Sequence, residues 1–198
     1  PPGVTDVTEL WNGTNWTEVN DLGTDRDRLG TAGVSNTSAL AIGGYDGEAA
    51  LGVTESWNGT NWTEVNDLGT ARYSQSGGTG TATAALYFGG NPGNKTETES
   101  WNGTNWTEVN DLNTGRTYLA GCGTNTAALA FGGGGTPGVT ESWNGTNWTE
   151  TVVLNDGRQN LAGAGANTAA VAFGGSPGYK NTTEEFNAGP ATVTITTS

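Results

Sequence analysis

Short segments with strand-like patterns of apolar and polar residues follow one another along the chain, separated by turns rich in glycine and asparagine. In one well-defined stretch, residues 119–123 are small and Gly-rich and residues 126–131 are apolar. Residues 139–143 then alternate between apolar and polar, and an Asn-Gly turn leads into residues 147–153. Valine, threonine and tryptophan favour strands, and Asn-Gly favours tight hairpins. The pattern predicts four antiparallel strands, which we call a, b, c and d.

The four-strand pattern recurs with a nearly constant period. The octapeptide Trp-Asn-Gly-Thr-Asn-Trp-Thr-Glu occurs four times without change, starting at Trp11, Trp57, Trp101 and Trp143, so the period is 42 to 46 residues. Four strands in a period of this length are typical of one β-propeller blade. We therefore predict a single all-β propeller domain over residues 1–198, built from four-stranded antiparallel blades. The repeats lie near 1–22, 23–68, 69–112, 113–154 and 155–198.

Two further features recur in register with the tryptophans. A double glycine closes strand b at 43, 89, 132 and 174, and an arginine stands four residues after the leucine that ends strand d, at 26, 72, 116 and 158. This combination resembles the kelch repeat, and the resemblance extends over about the whole chain. One departure is the c–d loop, which is shorter than is usual for that family. The resemblance implies a propeller. From the fixed offset of the arginines from the leucines we predict that Arg72, Arg116 and Arg158 serve structure, each bonding backbone carbonyls or an acidic neighbour at the loop face.

The strand count predicts an incomplete ring. Pro2–Thr5 matches Pro137–Thr140, a segment that follows strand b, so the chain begins with a c–d pair. Glu185–Asn187 together with Ala191–Thr197 resembles a diverged fifth c–d pair, whereas only four a–b pairs are present. We expect about four and a half blades here and five or more in the parent protein. Either a longer chain or another copy would supply the missing a–b hairpin.

The charge of the chain excludes several classes of partner. The net charge is −13, with only seven lysines and arginines, so there is no basic stripe for a nucleic-acid backbone or an anionic membrane. Apolar runs are far shorter than the roughly 20 residues of a transmembrane helix. Cys122, the single cysteine, stands where the neighbouring repeat has Ala164, and we predict that it is a small buried filler.

Catalytic chemistry has little support in the sequence. The absence of histidine removes Ser-His-Asp and Cys-His catalysis and the commonest zinc ligand, and we expect no metal and no cofactor. Kelch-like propellers include copper-radical oxidases, but their copper site needs histidine. Glutamates at 9, 55, 99 and 141 could do acid–base work, but their recurrence in every repeat favours a scaffold role. The sequence therefore predicts a protein that is not an enzyme.

The repeated octapeptide allows two interpretations of its asparagines and two of its tryptophans. Asn-Gly-Thr and Asn-Trp-Thr are glycosylation sequons, and Asn-Gly is also a good turn; we favour the turn. The tryptophans could stack on sugars or pack between blades. Because they are invariant where contact between blades is expected, we favour packing, and we predict burial for Trp62, Trp106 and Trp148.

Sequence variation between the repeats concentrates on one predicted face. The b–c loops and the starts of strand a differ between copies, and a meander places both at the same end of the sheet, opposite the invariant c–d turn. Loops on a rigid scaffold are where binding sites are usually built, although relaxed constraint on loops would give the same pattern. The candidate ligand-binding residues on this face are Tyr45, Asp46, Tyr73, Gln75, Tyr118, Gln159, Asn160 and Tyr179.

These observations favour a non-enzymatic module for recognition or display that binds a glycan through its variable loops. Low-charge arrays rich in glycine, threonine and asparagine resemble the repeat proteins of bacteriophage virions and tail fibres. That resemblance implies an extracellular or virion-surface location and attachment to a host. The alternative is a kelch-type scaffold that binds a protein ligand. We expect neither a nucleic acid nor a membrane as partner.

Overall fold

Residues 3–74, 77–135, 138–188 and 193–197 are described by the structure, a computed structural model. Over these residues the chain forms eighteen β-strands and no helix. The strands make four four-stranded antiparallel sheets and one two-stranded sheet. The sheets are arranged as blades of a propeller, which confirms the predicted fold class.

Each complete blade is a meander in which strands a, b, c and d pair in chain order. Blade 1 comprises β3 (Gly30–Ser35), β4 (Ser38–Tyr45), β5 (Ala50–Trp57) and β6 (Trp62–Val65). Blade 2 comprises β7 (Gly78–Thr81), β8 (Ala84–Phe88), β9 (Thr98–Trp101) and β10 (Trp106–Val109). Blade 3 comprises β11 (Ala120–Gly123), β12 (Ala128–Phe131), β13 (Thr140–Trp143) and β14 (Trp148–Glu150). Blade 4 comprises β15 (Ala162–Ala166), β16 (Ala169–Phe173), β17 (Thr183–Ala188) and β18 (Val193–Thr197).

The two-stranded sheet at the start of the chain is a c–d pair without its a–b hairpin. β1 (Glu9–Trp11) and β2 (Trp16–Glu18) pair so that Glu9 faces Glu18 and Trp11 faces Trp16. The c and d strands of blade 1 have the same register, Glu55 facing Glu64 and Trp57 facing Trp62. We call β1–β2 the half-blade. Its presence, together with the pairing of β17 with β18, confirms the predicted excess of c–d pairs over a–b pairs.

The strands of type a lie side by side around a central channel. β3 contacts β7, β7 contacts β11, and β11 contacts β15. The channel encloses a cavity of about 380 Å³ that is lined largely by glycine and other small residues of these strands. Small side chains are required there because the blades converge on the axis.

Aromatic side chains of strand b fill the space between blades by resting on glycines of the next strand a. A Cβ atom placed on Gly121 would lie 2.5 Å from Cζ of Phe88, and one on Gly163 would lie 2.2 Å from Cζ of Phe131. Both phenylalanines are almost completely buried, and burial of such a side chain contributes about 1.5–3 kcal/mol. The Gly-rich pattern of strand a is therefore a packing requirement between blades.

The paired tryptophans are mainly structural. The first ring of each pair is buried at Trp57, Trp101 and Trp143. Of the second rings, Trp148 is buried as predicted, whereas Trp62 and Trp106 are only partly buried. Three of the four second indoles donate a 3.0 Å N–H hydrogen bond to a threonine hydroxyl of the preceding sheet, pairing Trp62 with Thr8, Trp106 with Thr54 and Trp148 with Thr98. The second rings thus tie adjacent sheets together.

Cys122 is a buried residue of β11, as predicted for a small filler. Burial raises the pKa of its thiol to about 11, so the thiolate is scarce at neutral pH. Thiol reactivity requires thiolate, and the surroundings of Cys122 disfavour it.

Candidate functional site

The two variable segments of each blade meet on the loop face, the end of the propeller that carries the b–c loops and the approaches to strand a. In each complete blade, a residue in the segment that leads into strand a forms an isolated antiparallel bridge with a residue at the end of strand b or just after it. The bridges are Asp27–Tyr45, Tyr73–Asn91, Thr117–Gly134 and Gln159–Ser176. Backbone pairing thus fixes the variable loops against each other and presents their side chains at one end.

A buried ion pair lies beneath the loops of every complete blade. Four arginine side chains are fully buried, and each contacts a glutamate of strand c in its own blade. The pairs are Arg26–Glu55 at 2.5 Å, Arg72–Glu99, Arg116–Glu141 at 3.0 Å and Arg158–Glu184 at 2.9 Å. This confirms the structural role predicted for the arginines, and for the glutamates at 55, 99 and 141.

The same ion pairs tie the segment between two blades to the next sheet. Each glutamate also accepts a 2.7 Å hydrogen bond from a backbone N–H in the segment before strand a, at Gly23, Gly69, Asn113 and Asn155. The arginine carbonyls in turn accept bonds from the double glycine of the preceding blade, at Gly44, Gly90 and Gly133. These contacts hold the base of the loops rigid.

Two predicted residues, Tyr45 and Tyr73, come together across the boundary between blades 1 and 2. Their ring centroids are 5.2 Å apart with an interplanar angle of 54°. The guanidinium carbon of Arg28 lies 5.2 Å from the Tyr45 centroid and 5.6 Å from the Tyr73 centroid. All three side chains retain access to solvent. We call these three residues the tyrosine–arginine cluster.

Carboxylates flank the cluster. Asp27 Oδ2 lies 3.6 Å from Nε of Arg28. Asp46, also predicted, follows Tyr45 and uses Oδ1 to accept the N–H groups of Glu48 and Ala49 at 2.8 and 2.7 Å. These backbone hydrogen bonds lower the pKa of the Asp46 carboxyl, and the bond from Ala49 has the larger effect. The carboxyl is therefore ionised at neutral pH. The cluster therefore provides aromatic faces and one cation, and two carboxylates lie beside it.

A second group of predicted residues lies where blades 3 and 4 meet. The Asn160 N–H donates to the Tyr118 carbonyl at 2.9 Å, and the Asn160 amide donates to Ser176 Oγ at 3.2 Å. Gln159 forms the backbone bridge to Ser176. Tyr118 and Asn160 have φ of 56° and 54°, and Arg28 has 52° at the equivalent place. Left-handed backbone at non-glycine residues costs about 1–3 kcal/mol, and such residues cluster at functional sites.

Of the other predicted residues, Tyr179 joins neither group. Tyr179 is 99% exposed and, among the described residues, its ring contacts no other aromatic ring. Gln75 lies outside the described residues. The seven described candidates therefore divide into an aromatic group centred on Tyr45 and a polar group centred on Asn160, with Tyr179 apart from both.

Arg28 is the residue of the site that the sequence analysis did not predict. Of the seven lysines and arginines, four are the buried arginines, and Lys95 and Lys180 pair with Glu97 and Asp156. Arg28 is the remaining cation, and it stands in a variable segment. The chain has few positive charges, and Arg28 is a cation that lies outside the repeated motif. That feature of the sequence could have identified it as a site residue.

The opposite face carries the invariant c–d turns, and their asparagines are structural. In each turn the first asparagine accepts two backbone N–H bonds through Oδ1, as Asn102 does from Thr104 and Asn105 at 2.9 Å. In three of the four turns the second asparagine also accepts a side-chain amide hydrogen bond from the preceding sheet, as Asn147 does from Asn110 at 2.8 Å. The structure thus supports the turn interpretation.

Within the described residues, no three histidine, cysteine, aspartate or glutamate side chains come together in a way that could hold a metal ion. The part of the chain that the structure describes also contains no helix long and apolar enough to cross a membrane.

Comparison with known proteins identifies a fold and no family. No protein-family model matches the chain, and no curated protein matches its sequence. Among solved structures, 185 chains match. One of them, described as "Structure of YjhT", has a TM-score of 0.75 and 12% sequence identity, over 92% of this chain and 72% of that one. Such low identity shows a shared fold alone, and fold does not determine function.

Proposed function

We propose that the protein is a non-enzymatic, kelch-like recognition module that binds a glycan through the tyrosine–arginine cluster. The observation that carries the proposal is the tilted packing of Tyr45 against Tyr73, from two different blades, with Arg28 over both rings. Aromatic faces bind the apolar faces of sugar rings, while charged groups hydrogen-bond hydroxyls. The cluster has both kinds of group on one exposed surface.

The scaffold beneath the cluster supports this role. Buried ion pairs and backbone bridges hold Tyr45 and Tyr73 in place before any ligand arrives. A preorganised site loses less conformational entropy on binding than a flexible one. Loops held on a rigid scaffold therefore suit recognition of a ligand on a surface.

The composition of the chain supports a location outside the cell or on a virion. The chain is rich in glycine and carries a net charge of −13, and its near-identical repeats resemble those of virion and tail-fibre proteins. In that setting the loop face would attach the particle to a glycan of the host surface.

A glycan array probed with the labelled protein tests the proposed function. We expect binding to a restricted set of glycans, and a loss of about tenfold or more in affinity for Tyr45→Ala or Tyr73→Ala, as for aromatic side chains central to a binding site. Tyr179→Ala is the matched control, because this tyrosine is on the same face but outside the cluster. Equal affinity of all three variants would exclude the cluster as the site.

A protein ligand is the second candidate. Tyrosine and arginine are, with tryptophan, the residues most enriched where protein interfaces concentrate their binding energy, and the cluster consists of these two types. A panel of displayed peptides, screened with the same three variants, separates the candidates. Cluster-dependent binding of peptides without binding of glycans would favour the protein ligand.

A further inference from the structure

The cation of the tyrosine–arginine cluster is weakly held. The polar contacts of the Arg28 guanidinium among the described residues are the two tyrosine ring faces and Oδ2 of Asp27, which lies 3.6 Å from Nε and beyond hydrogen-bond range. The Arg28 and Asp27 side chains are 37% and 46% exposed. Exposed cation–π contacts and surface ion pairs are each weak, so the guanidinium can leave the rings at little cost.

The scaffold does not depend on the Arg28 side chain. The segment around Arg28 is fixed by its backbone, because the Arg28 carbonyl accepts the N–H of Ser74 at 3.0 Å. The repeated arginines are different, since their guanidinium groups are fully buried against glutamates, as Arg116 is against Glu141. The backbone at Arg28 is therefore structural, whereas its side chain is free to move.

Negative charge exceeds positive charge beside the rings. Asp27 and Asp46 are two carboxylates against the single cation of Arg28, and Oδ1 of Asp27 is buried without a hydrogen-bond partner among the described residues. The buried arginines of the same two blades, Arg26 and Arg72, do not change this balance because each is paired with a glutamate. The whole chain carries a net charge of −13. Such a surface attracts cations and repels anions.

The position of the guanidinium marks where a cation binds. Its carbon lies 5.2 and 5.6 Å from the centroids of Tyr45 and Tyr73, within the roughly 6 Å over which a ring face attracts a cation. A primary ammonium is compact and has three donors. It could therefore keep both ring contacts and also approach Asp27 to hydrogen-bond distance, which Nε of Arg28 does not reach.

We propose that the cluster selects an amino sugar, a glycan unit that carries a protonated primary amine, and that Arg28 is an internal competitor which this amine displaces. The inference rests on the proposed function, because it concerns the ligand of the same site. An acidic sugar would bring a carboxylate beside Asp27 and Asp46. A neutral N-acetylated sugar would offer the rings no cation.

Three oligosaccharides of equal length test the selectivity. Calorimetric titrations use a hexamer of glucosamine, a hexamer of N-acetylglucosamine and a hexamer of galacturonate, at fixed ionic strength and at a pH below the pKa of the sugar amine. We expect the glucosamine hexamer to bind at least about tenfold more tightly than the N-acetylated one, because only the amine has the ring and carboxylate contacts. The acidic hexamer should bind most weakly. Equal or tighter binding of the neutral or acidic hexamer would overturn the inference.

Arg28→Gln separates competition from direct recognition. If Arg28 competes with the ligand, its removal should tighten binding of the glucosamine hexamer about threefold or more, since it frees the ring faces and removes a like charge. If Arg28 instead binds the ligand itself, the same variant should bind more weakly. A loss of affinity in Arg28→Gln would therefore overturn the inference.

Charge variants locate the contact. Asp27→Asn should weaken binding of the glucosamine hexamer about fivefold or more and leave binding of the N-acetylated hexamer unchanged, because the carboxylate contacts only the amine. Glu64→Gln is the matched control, because Glu64 is an exposed carboxylate on β6 of the same blade and lies outside the cluster. Thermal melts check that each variant is folded. Equal weakening by Glu64→Gln would mean that only the net charge matters, and would overturn the contact with Asp27.

Tyrosine dependence distinguishes failure of this inference from failure of the proposed function. If other glycans bind through Tyr45 and Tyr73 and the glucosamine hexamer does not, the inference alone is overturned. If Tyr45→Ala and Tyr73→Ala change the binding of no glycan, the proposed function is overturned as well. A lysine hexamer is the last probe. If it binds as tightly as the glucosamine hexamer and with the same tyrosine dependence, the ligand is a cationic peptide and the assignment to an amino sugar is overturned.

Discussion

Tyr87 shows how one side chain adapts a repeated blade to its neighbour. The equivalent position is alanine in the other three blades, at Ala41, Ala130 and Ala172. The Tyr87 ring rests on Gly30 of blade 1, where a Cβ atom would lie 2.3 Å from Cε2, and the guanidinium of Arg72 lies 4.7 Å from its centroid. Its hydroxyl is buried, and among the described residues it has no hydrogen bond of ordinary geometry, although the backbone of Ser74 is close enough to lower its pKa.

We expect Tyr87→Phe to preserve or raise the free energy of unfolding at pH 7, by up to about 1 kcal/mol, because a buried hydroxyl without a hydrogen bond of ordinary geometry is removed. Burial raises the pKa of Tyr87 from 10.0 to about 12. The folded state therefore retains this proton at pH values where the unfolded state loses it, and stability present below pH 10 is lost as the pH rises towards 12.

Urea titrations of the wild type and Tyr87→Phe at pH 7 and pH 11 measure both effects. The variant should lose less stability between the two pH values than the wild type. Tyr179→Phe, at a fully exposed ring, is the control and should behave as the wild type. A loss of more than about 1 kcal/mol in Tyr87→Phe at pH 7 would indicate that the hydroxyl does have a partner.

The recurring structural element is strand c with its buried glutamate. In each complete blade this carboxylate binds the arginine and a backbone N–H that precede strand a, so it links the inside of the sheet to the segment arriving from the previous blade. Buried ion pairs often contribute little net stability, but removal of one partner leaves the other charge buried and unpaired.

Glu141→Gln should therefore lower the free energy of unfolding by about 3–5 kcal/mol, because Arg116 is left buried without its carboxylate. Glu150→Gln is the matched control: this residue faces Glu141 across β13 and β14 but is exposed, and its replacement should change stability by less than about 0.5 kcal/mol. Chemical denaturation followed by tryptophan fluorescence measures both. Similar losses in the two variants would argue against a special role for the buried pair.

At the scale of the whole molecule, stability is distributed unevenly between the middle and the ends of the propeller. Blades 2 and 3 have neighbours on both sides, and their inner strands are buried. The half-blade has two short strands with mostly exposed side chains, and Trp16 is 63% exposed. Segments with few buried apolar contacts open locally at low free-energy cost.

Hydrogen exchange should therefore be much faster in β1 and β2 than in β9 and β13, although all four belong to c–d pairs of nearly identical sequence. We expect the paired amides of the half-blade to exchange at least about 100-fold faster, which corresponds to a difference of roughly 3 kcal/mol in opening free energy. Exchange followed by mass spectrometry resolves these segments. Equal protection would show that the half-blade is covered in solution.

Local features of the sequence determined the architecture. The period of 42 to 46 residues, the Asn-Gly turns and the Gly-rich strand a predict four-stranded blades around a narrow channel, because turn geometry and strand pairing act over a few residues. The repeats also indicated that the arginines and glutamates are structural, since a residue present in every copy serves the scaffold. The same repetition showed that the chain has more c–d pairs than a–b pairs.

Only the tertiary structure decided which variable residues meet. Tyr45 and Tyr73 belong to different blades, and Arg28 reaches both rings from a third segment. No repeated pattern could place these three together, because they differ from the residues at equivalent positions in other blades. The tertiary structure also decided how deeply Trp62, Trp106 and Trp148 are buried. Contacts between blades depend on how each sheet is rotated against the next, and that geometry follows from side-chain packing over the whole ring.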